Sequence, residues 1–228
     1  MVVSPHGGYA IAFLAGAVSI AIPAFWLTFK TPKSITLSEG CMGSSLYNIY
    51  LDTVRDSLSG NALKTPSWWP GTDGYGVLPF SQEMRDRGPS WVVFGYAMAG
   101  TVSLNNVRMI LEQVSADKVP GGFIELGTWR GGVSIFARAV QKALCEGEER
   151  DVYVGDSFEG LPKASTGSDD DSWASHSKHS SVSQQCGYSS FSFAVSLQDV
   201  QEHFRRFHML DDHVHFIKGF FHVSLPEF

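Results

Sequence analysis

The chain has 228 residues, a formal net charge of −6 and 43% hydrophobic residues, values that suit one α/β domain or a domain with appendages. No basic stripe offsets that charge to form a phosphate footprint, so a nucleic-acid partner is excluded. The three cysteines, Cys41, Cys145 and Cys186, lie far apart without CxxC spacing, which excludes a cysteine-rich zinc site and gives no disulfide framework.

In chain order, residues 9–29 (YAIAFLAGAVSIAIPAFWLTF) carry no charge and are followed by Lys30 and Lys33. A helix of that length crosses a bilayer core. Residues 1–30 therefore read as a signal anchor that places the protein in a membrane. A cleaved signal peptide, directing it to the secretory pathway, is the second reading, and a buried core helix the third. Residues 31–44 read as a linker. In 45–58 (SLYNIYLDTVRDSL), Leu46, Ile49, Tyr50, Val54 and Leu58 fall at helical spacing. Residues 59–90, rich in Gly, Pro and Trp, show no period and read as a loop. Residues 97–114 are helical, with Leu104, Val107, Ile110 and Leu111 inward, until VPGG stops them.

From there the pattern alternates. FIELGT is a strand, GGVSIFARAVQKAL a helix, DVYVGD a strand, FAVSLQDVQEHFRRF a helix and HVHFIKG a strand. The Ser-, Asp- and His-rich stretch 163–190 reads as a loop. Such alternation predicts parallel pairing through right-handed crossovers, and so a doubly wound α/β sheet. Ligands of such sheets sit beyond the carboxyl ends of the strands. The turn Thr128-Trp129-Arg130-Gly131-Gly132 lies at such an end, with Gly127 allowing it to bend. Gly131 and Gly132 would let a ligand approach the start of the following helix, whose free N–H groups favour an anion. Glu125 at one strand end would hold a cationic amine, and Asp156 at the next would accept ribose hydroxyls. GxGxxG and the Walker motif are both absent. The spacing thus favours an adenosyl ligand over a dinucleotide or a purely structural turn.

Other candidates carry less. Asp169-Asp170-Asp171 reads as a solvated loop, and Asp211-Asp212 as a turn cap. His213 and His215 share one strand face but lack a third zinc ligand at useful spacing. SHSKHSS has no nucleophile elbow, and Trp68 and Trp69 read as core rather than as a substrate platform.

The segments VPGGFIELGTWRGGVSIFARAV, VYVGDSFEGLP, FAVSLQDVQEHFRRFHMLDD and HVHFIKGFFHVSLPE resemble the macrocin O-methyltransferase family, over roughly residues 45–228. That resemblance implies a Rossmann-like class I methyltransferase fold with N-terminal helices, and S-adenosyl-L-methionine and magnesium as cofactors. It also implies methyl transfer to a hydroxyl of a sugar or other small molecule. By position, Glu125, Gly127, Thr128, Trp129, Arg130 and Gly131 would line the methionine and ribose part of the cofactor. Asp156 would bind the ribose, Ser157 and Phe158 would lie beside the adenine, and Gly219 and Phe220 would form the adenine wall. The 163–190 loop would be a lid over the substrate. The family's basic residues after Met-x-Gly are replaced by Thr101-Val102-Ser103, so the acceptor need not be an antibiotic sugar.

The family's metal-binding carboxylates lie on a fourth and a fifth strand, in LDGD- and IDD-like motifs. Neither motif occurs here, so an incomplete sheet lacking the metal half is expected, with no metal ligands in the chain. FIELGT would then present an unpaired edge, inviting aggregation or pairing with a second copy. A non-catalytic adenosyl-binding remnant and a nicotinamide-dependent enzyme are the alternative readings.

Overall fold

The computed structural model describes residues 2–3, 9–14, 43–71, 74–88, 91–161, 193–226 and 228. Its main sheet contains β1 (Val2–Val3), β2 (Tyr9–Leu14), β6 (Phe123–Leu126), β7 (Val152–Asp156) and β8 (Val214–Lys218), in the spatial order β1-β2-β6-β7-β8. Strands β2, β6, β7 and β8 are mutually parallel, and β1 is antiparallel to β2. Every residue of β6 is buried, as expected of a central parallel strand covered on both faces.

The crossover from β6 to β7 is helix α4 (Gly132–Ala143), of which ten of the twelve residues are buried. This helix packs against β6 and β7 and also against α1 (Ser44–Leu58) and α3 (Thr101–Ala116), so no face is left for water. The crossover from β7 to β8 ends in α5 (Leu197–Arg206). The Ser196 hydroxyl caps α5 by accepting from the Asp199 amide at 3.1 Å. Val200 and Phe204 point inward, as their spacing predicts. The short helix α6 (Phe221–Ser224) follows β8.

Four sequence expectations change. First, Tyr9–Leu14 form a strand in parallel register with β6, Ile11 opposite Phe123 and Leu14 opposite Leu126. The helix expected over 9–29 is therefore not what its first six residues form, and residues 15–29 lie outside the described residues. Among the described residues no helix is long and apolar enough to cross a membrane. A short apolar run fits a buried strand as well as a helix, and here backbone pairing decides. The same pairing removes the unpaired edge expected at FIELGT.

Second, the buried stripe of α1 is Tyr47, Leu51 and Leu58, while Leu46 and Ile49 are exposed. Of the expected stripe, Leu58 is buried and Tyr50 and Val54 pack against the core, so the inward face is shifted toward Tyr47, which donates a hydrogen bond to Glu112 of α3 at 2.8 Å. Third, the segment 59–90 read as a loop contains β3 (Ser67–Gly71), β4 (Gly74–Leu78) and helix α2 (Gln82–Arg87), and β3 pairs antiparallel with β4 and with β5 (Trp91–Val92) just beyond it. Trp68 and Trp69 are in β3. Fourth, Cys145, just after α4, is disulfide-bonded, although the cysteine spacing gave no framework; Cys41 and Cys186 lie outside the described residues.

The amino ends of β7 and β8 are tied together by a buried cation. Arg138, in the middle of α4, is fully buried. Its guanidinium donates to both Asp211 oxygens, at 2.9 and 3.2 Å, and to the carbonyls of Gly147 and Arg150. Lys142 joins the same carboxylate at 2.7 Å. Asp211 also accepts from the His213 amide at 3.1 Å, which is the turn cap that the sequence suggests.

Candidate functional site

A cavity of about 500 Å³ opens at the carboxyl ends of β6, β7 and β8. Its sheet-side wall contains Glu125, Gly127, Thr128 and Trp129 after β6, Asp156 and Ser157 after β7, and Gly219 and Phe220 after β8. The positions that the sequence nominates at three separate strand ends thus meet around one hollow. Most of the surface is apolar, which excludes water and strengthens the few polar contacts within.

Glu125 is almost fully buried, and one of its oxygens, Oε2, accepts three hydrogen bonds. These come from the Thr128 hydroxyl at 3.1 Å, the Ser134 amide at 3.0 Å and the Ser134 hydroxyl at 2.5 Å. Helix α4 starts after Gly131, which has no side chain to cap it, so a carboxylate from the neighbouring strand caps the helix instead. Burial pushes the Glu125 carboxyl up from 4.5 to about 7, outweighing the hydrogen bonds that act the other way; the nearby Asp156 charge adds to the rise. Glu125 thus positions α4 and Thr128 and still faces the cavity.

Asp156 closes β7. Its Oδ2 accepts from the Trp129 amide at 3.1 Å and its Oδ1 from the Phe158 amide at 3.0 Å. The carboxylate thereby holds the turn after β6 and the turn after β7 in fixed relation, and the remaining lone pairs can accept ligand hydroxyls. Trp129 and Phe158 both adopt positive φ, 52° and 55°, a conformation rarely taken by bulky residues and here secured by those two bonds.

Three nominated residues lie off the cavity wall. Arg130 turns away from the cavity, donating to the carbonyls of Gly95 at 2.9 Å and Val93 at 3.3 Å. Gly131, at φ 85°, faces α5: a Cβ there would stand 3.0 Å from Val200 and 3.1 Å from Phe204. Phe158 is buried against Phe216 at 6.3 Å between ring centroids. Gly132 does line the cavity, but its missing Cβ makes room for protein, since that atom would sit 2.4 Å from the Tyr96 carbonyl. Both missing Cβ atoms thus make room for the chain's own packing, while Gly132 also faces the cavity.

The sequence reading missed the opposite wall. It consists of Tyr96, Ala97, Met98 and Ala99, with Phe193, Leu161 and His222 at other points. The expected helix over 97–114 begins only at Thr101; the residues before it form a strap over the hollow. The one available signal was Gly95 and Gly100 flanking a short apolar run. The loop 163–190, including Asp169–Asp171 and the SHSKHSS segment, lies outside the described residues. His213 and His215 do converge, but on Asp151, at 3.0 and 3.2 Å, at the far end of the strands. Among the described residues, no group of three or more His, Cys, Asp or Glu is placed to hold a metal ion.

Comparisons with known proteins agree with this geometry. Residues 72–228 match the model of the family described as Macrocin-O-methyltransferase (TylF). The chain is 36% identical over 178 residues to the mycinamicin III 3''-O-methyltransferase of Micromonospora griseorubida, covering 78% of this chain and 66% of that one. It is 31% identical over 183 residues to the demethyldecarbamoylnovobiocin O-methyltransferase of Streptomyces niveus, covering 78% and 64%. The chain thus spans about two thirds of the length of these curated relatives. Among solved structures it is similar to the O-methyltransferase NovP, with a TM-score of 0.63 and 30% identity over 79% of this chain and 67% of that one. The parallel strands, the shared hollow at their carboxyl ends and the match over more than half its length lead to one assignment: the chain belongs to the macrocin-O-methyltransferase (TylF) family.

Proposed function

We propose that this chain binds S-adenosyl-L-methionine in the cavity and acts in O-methyl transfer to a hydroxyl of a sugar or other small molecule, on the architecture of class I methyltransferases. The observation that carries this reading is the meeting of Glu125 and Asp156 in one apolar hollow with Trp129 and Phe220. A nucleoside fits with its ribose at Asp156 and Ser157, its base against Gly219 and Phe220, and its amino-acid end toward Thr128, Trp129 and the start of α4.

The bound cofactor supplies an electrophilic methyl group on a sulfonium. Around it the chain's own residues bind and orient. Asp156 accepts hydrogen bonds from the ribose hydroxyls, fixing the ligand along the sheet edge. Glu125 fixes Thr128 and the first turn of α4. Aromatic rings such as Trp129 and Tyr96 favour a cation over their faces and keep water out. Alignment of acceptor oxygen, methyl and sulfur is the main demand of such a reaction, and a rigid strand-end site meets it. The resemblance implies magnesium, but the described residues do not fit it, and no step here runs through it.

Calorimetric titration of the chain with S-adenosylhomocysteine and with NAD tests this reading. Binding of the first alone is expected; a response to NAD alone would overturn it in favour of a nicotinamide enzyme. Methyl transfer from labelled cofactor, with and without magnesium, then separates an enzyme from a non-catalytic adenosyl-binding protein.

A further inference from the structure

One wall of the cavity, the strap Tyr96–Ala99, belongs to neither the parallel sheet nor its crossover helices. Its attachments are few and specific. The amides of Tyr96 and Ala97 both donate to the Leu58 carbonyl, at 2.8 and 3.1 Å, and the Tyr96 carbonyl accepts from the Gly132 amide at 2.9 Å. A further attachment is Arg130, whose guanidinium reaches the carbonyls of Val93 and Gly95 just before the strap. That guanidinium lies over the Trp129 ring, 4.1 Å from its centroid. The backbone carbonyl of Arg130 meanwhile accepts from His203 Nδ1 at 3.0 Å, and the His203 ring packs edge-on against Tyr96 at 4.7 Å. Among the described residues Arg130 has no carboxylate partner, so its charge is balanced by carbonyl dipoles and the indole face. An ion that deep would be costly without those bonds, so the two carbonyls are held wherever the guanidinium is held.

We propose that Arg130 is a positioning residue: it never touches the ligand, but by gripping Val93 and Gly95 it sets the distance between the strap and Trp129, and so the width of the cavity at one end. Strand order tells which end. The hollow runs along the carboxyl edge of the sheet from β8, through β7, to β6 and the start of α4. With the base at β8 and the ribose at β7, the strap faces the amino-acid and methyl end, where an acceptor must also enter. This assignment rests on the cofactor reading above.

Two nucleoside probes separate the possibilities. S-adenosylhomocysteine extends to the strap, whereas adenosine lacks the amino-acid arm and stops at β7. In calorimetric titrations of the full chain, Arg130→Met weakens S-adenosylhomocysteine about tenfold, the cost of one lost hydrogen-bonded contact, and leaves adenosine unchanged. Arg130→Lys keeps the charge and one donor but not the fork, and recovers part of the loss. Should Arg130→Met fail to fold, Arg130→Lys carries the same comparison with a smaller selective loss. Equal weakening of both probes, or of neither, overturns the positioning role and leaves a structural one. Wild-type protein that binds neither probe removes the cofactor reading itself, and the proposal with it.

Discussion

The two ends of the same three strands make an instructive contrast. At the amino ends of β7 and β8, charges face one another. Arg138 and Lys142 meet Asp211, and His213 and His215 meet Asp151. At the carboxyl ends, Glu125 and Asp156 have no cationic partner among the described residues and face a hollow instead. Closed charge sets spend their electrostatics on the fold. Carboxylates left facing a cavity keep theirs for whatever enters it.

That contrast can be broken or sharpened by substitution. The largest effect is expected at the amino end. Asp211→Ala leaves the buried Arg138 guanidinium uncompensated, which costs about 3–5 kcal/mol, so urea melts should shift strongly while nucleoside affinity stays close to wild type. A loss of binding that outran the loss of stability would erase the division between the two ends.

Next comes Glu125→Gln, read through pH. The folded carboxyl titrates at about 7 against an ordinary 4.5, so the folded state holds its proton over a range where the unfolded chain has released it. The associated stability is fully present below the ordinary value and is lost as pH rises through about 7, a swing of about 3 kcal/mol. The difference between wild type and Glu125→Gln in thermal melts from pH 4 to pH 8 isolates this group, and a pH-independent difference would contradict its buried, proton-holding state. At Asp156, removal of the carboxylate by Asp156→Ala should weaken S-adenosylhomocysteine about a hundredfold, two charged hydrogen bonds' worth, with a smaller drop in melting temperature than Asp211→Ala. The smallest effect belongs to His215→Ala, whose half-exposed contact with Asp151 is worth below about 1 kcal/mol and should leave ligand titrations untouched.

How much of this was readable beforehand follows from the kind of force involved. Strands β6, β7 and β8 and helices α4 and α5 were legible because apolar burial imposes a period on the sequence itself. So were the positions of Glu125, Thr128 and Asp156, because strand ends in a parallel sheet converge, while Gly219 came only from the family resemblance. The strap at Tyr96–Ala99 was hidden: much of its hold comes from backbone amides and carbonyls, which leave no trace in residue identity. Gly131 and Gly132 could be recognised as making room, but not for what; only the packed Val200, Phe204 and Tyr96 answer that. The phase of α1 was ambiguous because Leu46 and Ile49 make an alternative stripe beside Tyr47 and Leu51. Buried Arg138 was overlooked because an arginine in a helix ordinarily reaches solvent, and most of its partners, Gly147, Arg150 and Asp211, come from loops outside its helix.

The register of β2 has a mechanical corollary. Phe13 stands opposite Glu125 and Leu14 opposite Leu126, so the N-terminal strand is laced to the very strand that carries the helix-capping carboxylate. Since the two run in the same direction, tension applied at Tyr9 shears their ladder lengthwise and loads all its bonds together instead of unzipping them one at a time. Tethering the N-terminus to a bead or a surface would therefore pull on the floor of the cavity, and ligand release under load would report on that linkage.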